Sequence, residues 1–79
     1  MEIPNHISAI AKIVRDDWKK IYFGAEPYLQ AMEQIDCIDQ MYYEDTAEQI
    51  VRYFLTNASS WRGEIAKAVK ARLKELLGE

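Results

Sequence analysis

A chain of 79 residues with 49% hydrophobic and 29% charged side chains has the composition of one small folded unit, not of a disordered segment. At this length folding hides only about 60% of the unfolded surface, and a single cysteine excludes an internal disulfide and a multi-cysteine zinc site. No stretch approaches the ~20 apolar residues of a bilayer span. The start, Met-Glu-Ile-Pro-Asn-His, has neither the basic nor the apolar region of a signal peptide, so a cytoplasmic protein with net charge -3 is expected.

Four segments show helical periodicity and none a sustained alternation of period two, which predicts an all-α fold: a compact bundle of four short helices at about 5–20, 27–35, 46–57 and 61–77, forming one domain over 1–79. In the first, Pro4 and Asn5 offer a stop and an N-cap. Ile7, Ile10, Val14, Trp18 and Ile21 make one apolar stripe, with Lys12, Arg15 and Lys19 on the other side. Gly24 ends that pattern. Pro27 suits the first turn of the second helix, whose short apolar face is Tyr28, Leu29, Met32 and Ile35.

Asp36 to Glu44 has no clean period and is expected to be a connector with a helical turn around Cys37 to Met41. Asp45, followed three residues later by Glu48, predicts a capping box for the third helix, with Ala47, Ile50, Val51, Phe54, Leu55 and Ala58 facing the core. Ser59 or Ser60 is the expected cap of the fourth. Its apolar positions are Trp61, Ile65, Ala68, Val69, Leu73 and Leu76, with Gly78 as its stop.

Charge is unevenly distributed. No Lys or Arg lies between Lys20 and Arg52, an interval that holds Glu26, Glu33, Asp36, Asp39, Glu44, Asp45 and Glu48. Residues 61–79 carry five cations against three carboxylates, a net +2, which leaves -5 on residues 1–60. Lys67, Lys70 and Lys74 share a ridge, whereas Arg72 falls within the apolar stripe. There it is expected to pair with a carboxylate of the middle segment or to snorkel to water.

Catalytic chemistry finds little support. His6 and Cys37 are the only residues of their types; the expectation is a capping-region histidine and a partly buried cysteine, not a Cys–His nucleophile pair. There is no phosphate-cradling glycine loop and no nucleophile elbow. The acidic interval lacks the spacing and central glycine of a calcium loop. No catalytic residue, metal ligand or cofactor is assigned, and the chain is expected not to be an enzyme.

Binding remains. The acidic interval interleaved with tyrosines is expected to bind a basic protein partner through Tyr28, Asp36, Asp39, Tyr42, Tyr43 and Glu44, tyrosine being favoured at interfaces. The alternative is a small nucleic-acid-binding protein whose third and fourth helices, across a four-residue break, resemble a helix-turn-helix, with Arg62, Lys67, Lys70 and Lys74 on phosphates. An overall acidic chain repels a polyanion, so nucleic acid takes second place. A homodimer is a further candidate, since Ile13, Tyr22, Phe23 and Leu77 are apolar residues left off the main stripes.

Overall fold

Helix α1 spans Ile7–Asp17 in a computed structural model that describes residues 2–79; Met1 lies outside the described residues. Its stripe is as expected: Ile7, Ile10, Ala11 and Val14 are buried. Both ends are shorter than the expected 5–20. At the start, the N-cap is His6 with no side-chain bond, not Asn5. The Ile7 N–H instead donates to the Asp36 carbonyl at 3.1 Å, and the Ser8 hydroxyl donates to the Asp36 carboxylate at 3.1 Å. A distant residue thus satisfies what the local sequence was expected to cap.

At the other end, Trp18 leaves helical geometry (φ -88°, ψ 92°) while its N–H still closes on the Val14 carbonyl. Its indole stacks on Trp61 with centroids 5.7 Å apart and meets Phe54 edge-on at 6.3 Å. Aromatic contacts of this kind contribute roughly 0.5–1.5 kcal/mol beyond the area they bury. These three rings join α1, α3 and the segment before α4 in one core.

Helix α2 spans Glu26–Met32, with Pro27 in its first turn, and stops before the expected Ile35. Ile35 is nevertheless fully buried. After a turn at Cys37–Gln40, closed by the Gln40 N–H on the Cys37 carbonyl, the fold departs from strict all-α. Met41–Tyr42 (β1) and Asp45–Thr46 (β2) pair antiparallel, with Met41 opposite Thr46 and Tyr42 opposite Asp45. Strands of two residues are too short to impose any period on the sequence, so the hairpin left no periodic signal.

The hairpin also moves the capping box by one residue. Asp45 is taken up in the ladder, and Thr46 caps α3 (Ala47–Thr56) by accepting from the Gln49 N–H at 3.2 Å. The Gln49 side chain returns a bond to the Thr46 N–H. Helix α4 spans Glu64–Leu76 and starts later than the expected Trp61. Gly63, not Ser59 or Ser60, precedes it, at φ +115°, where a Cβ would be strained. Its end is a Schellman arrangement: Gly78 at φ +82° donates to the Glu75 carbonyl and Glu79 to that of Lys74.

Helix α2 packs mainly on α3, while α1 contacts both α2 and α4. The buried residues form one hydrophobic cluster, and Phe54, Ile7, Ile10, Leu29, Met32, Ile35 and Leu73 are its largest fully buried side chains. Among the described residues, no polar or charged residue is buried and no buried side-chain polar atom lacks a partner. No helix there is long and apolar enough to cross a membrane.

Candidate functional site

The two hairpin strands are joined by Tyr43 and Glu44 alone. A two-residue connection matched to strand twist requires positive φ, normally from glycine or asparagine. Here Tyr43 adopts it, with φ +57° and 87% of its surface exposed. A bulky side chain in that region costs about 1–2 kcal/mol, and nothing buries the ring in return. The Tyr43 and Tyr42 rings are nearly perpendicular with centroids 4.7 Å apart, and Tyr42 is half-buried against the core. Met41 is 56% exposed beside them.

Below the tip lies an open cleft of about 650 Å³, lined by Arg15, Gln30, Glu33, Gln34, Met41, Tyr42 and Tyr43. One wall is an ion-pair network. The Arg15 guanidinium takes Glu33 bidentately, its Nε and one terminal nitrogen donating at 3.1 and 3.0 Å, and reaches Glu26 at 2.6 Å. Hydrogen bonds from Arg15 hold the Glu26 carboxyl below its ordinary range, and the bonds to Glu33 and Glu26 raise the guanidinium's own proton affinity. These links fasten α1 to α2 and fix that wall of the cleft. Arg15 and Glu33 were not among the expected site residues. The signal was present: Glu26 and Glu33 are seven residues apart, two turns along one helix face, in an interval devoid of local cations.

The structure separates the expected partner-binding residues. Tyr42, Tyr43 and Glu44 come together at the hairpin, with Asp39 exposed in the turn before it. Among the described residues, Asp39, Glu44, Asp45 and Glu48 form no ion pair. Tyr28 faces α3, its ring 5.3 Å from that of Tyr53. Asp36 is occupied at the start of α1. Cys37 is exposed, contrary to the partly buried position expected of it. Among the described residues, no group of three or more His, Cys, Asp or Glu is placed to hold a metal ion.

The basic residues are likewise divided. Arg62, Lys67 and Lys74 are exposed. Lys70 folds back: its ammonium donates to the Trp61 carbonyl at 2.6 Å and sits 5.9 Å from the Trp61 ring centroid. Seven residues, not four, separate α3 from α4, and the principal packing of α4 is on α1. Arg72 does not reach the acidic middle segment. It donates to the Asn5 side-chain carbonyl at 2.5 Å and lies 3.9 Å from Glu75, because α4 carries it beside the N-terminal segment.

Comparison of the chain with family models, with curated proteins and with solved structures gives no match.

Proposed function

We propose that this chain is a non-enzymatic protein-interaction module that binds a basic protein partner through its acidic, tyrosine-bearing hairpin. The observation that carries this reading is Tyr43, a large ring held at φ +57° and 87% exposed at a tip where glycine would cost less. Exposed Met41 and the wall of half-buried Tyr42 extend its contact area, and tyrosine and methionine are favoured in interface cores. Asp39, Glu44, Asp45 and Glu48, without cations of their own, supply the complementary field.

A second reading, nucleic-acid binding through α4, draws on Arg62, Lys67 and Lys74, which are exposed and free of carboxylate partners among the described residues. It has less support, since Lys70 is already engaged with Trp61.

Affinity capture separates the two. Wild type is immobilised beside a hairpin variant (D39K/Y43S/E44K) and an α4 variant (R62Q/K67Q/K74Q). Basic proteins retained by wild type and by the α4 variant but lost from the hairpin variant support the proposal. Retention by all three baits, or loss only from the α4 variant, overturns it.

A further inference from the structure

The cleft below the hairpin tip takes three consecutive residues from the hairpin, Met41, Tyr42 and Tyr43, and none from β2. Successive strand side chains point to opposite faces, so a run of neighbours places the cleft along the outer edge of β1 and not across one face. The ladder fixes what that edge presents. The Ala47 N–H closes on the Gln40 carbonyl at 2.9 Å, and antiparallel pairs alternate between bonded and unbonded. Gln40–Ala47 and Tyr42–Asp45 are therefore bonded pairs and Met41–Thr46 an unbonded one, whose N–H and C=O groups point away from the partner strand. The outward Thr46 N–H is taken by the Gln49 side chain at the start of α3. Met41 has no such cover: it is 56% exposed, and no group among the described residues bonds its outward N–H.

We propose that the partner contributes an extended basic segment that lies in this cleft and adds to β1 as a third strand. The inference rests on the protein-binding reading and names the way the hairpin is used. Strand addition gains main-chain hydrogen bonds at an open edge and takes its specificity from alternate side chains. At ~3.3 Å per residue, β1 and Tyr43 offer about 10 Å of edge, room for about three residues of extended chain. The opposite wall suits the second edge of an added strand. Gln30 and Gln34 line it with carboxamides, each both donor and acceptor. Charge selects the occupant. The single guanidinium of Arg15 is shared by Glu26 and Glu33, which leaves that wall net negative, and Asp39 and Glu44 flank β1 without ion-pair partners among the described residues. A second copy pairing edge to edge would bring these carboxylates together, so a cationic segment is favoured over self-association.

Proline is tolerated at an edge position whose N–H faces away from the ladder. M41P therefore removes the outward donor and obstructs the edge while sparing the bonded pairs on either side, and M41A shortens the side chain but keeps the N–H. The probe is the acetylated, amidated peptide Lys-Val-Lys-Val-Lys, titrated by calorimetry at fixed low ionic strength into wild type, M41P, M41A and D39K/Y43S/E44K, with folding checked by circular dichroism. The expected result is saturable binding, weakened at least about tenfold in M41P and less than about threefold in M41A. In wild type the Met41 amide should exchange freely without peptide and be protected with it, a readout that depends on no variant folding. No saturation below about 5 mM, equal effects of M41P and M41A, or an unprotected Met41 amide in the complex overturns strand addition. Binding lost in D39K/Y43S/E44K while M41P behaves as M41A removes this inference and leaves the hairpin reading standing. Binding unchanged in D39K/Y43S/E44K removes both.

Discussion

Replacing Arg15 with Met removes the guanidinium and keeps most of the unbranched stem, so the loss is confined to the network that ties α1 to α2. Arg15 is 30% exposed, Glu26 32% and Glu33 37%. Water therefore screens these charges, and each pair is expected to lie within the roughly 0.2–1 kcal/mol range of exposed ion pairs. The bidentate geometry on Glu33 and the sharing of one cation by two carboxylates place the sum near its upper end. R15M should cost about 1–1.5 kcal/mol, which for a domain of this size lowers Tm by roughly 5–10 °C. The assay is thermal unfolding by circular dichroism, with R15M, E33Q and the double variant forming a cycle. Because Glu26 has its folded pKa depressed, its share is complete above the ordinary carboxylate value of 4.5 and disappears as pH falls through the lower folded value. The gap between wild type and R15M should therefore close in acid. A loss under about 0.3 kcal/mol, within the scatter of surface substitutions, or a cycle with no coupling, would refute the clamp.

Three further outcomes are expected. T46A should lose about 1 kcal/mol through its α3 cap, while D45A, the residue that the linear pattern favours, should lose distinctly less; chemical denaturation compares them. Y43N should gain about 0.5–1 kcal/mol, since asparagine tolerates positive φ, and should weaken partner capture in the same sample. W61F removes the indole N–H that donates to the Asp17 carboxylate at 2.8 Å, and should cost about 1.5–3 kcal/mol by the same denaturation assay.

The helices were legible because each presents a stripe that tertiary packing uses directly. Ile7, Ile10 and Val14 are predicted and found on one buried face, as are Ile50, Val51 and Phe54. What escaped the sequence depends on partners far along the chain. Asp36 replaces Asn5 at the start of α1, Asp17 receives Trp61 across 44 residues, and Arg72 finds Asn5 across 67. The capping box shows a subtler limit. Asp45 with Glu48 and Thr46 with Gln49 both satisfy the pattern, and the hairpin decides between them by using Asp45 in its ladder. The acidic interval itself was visible, but not its division: Glu26 and Glu33 neutralise Arg15, Asp36 serves α1, and the unpaired carboxylates remain around Tyr43.

Hydrogen–deuterium exchange of the chain, alone and bound to a partner captured by wild type, tests the hairpin reading most directly. The account predicts new protection concentrated over residues 39–46, spreading only to the cleft wall around Gln30 to Gln34. Protection centred on Trp61 to Lys74, with the hairpin exchanging as it does in the free protein, would contradict it.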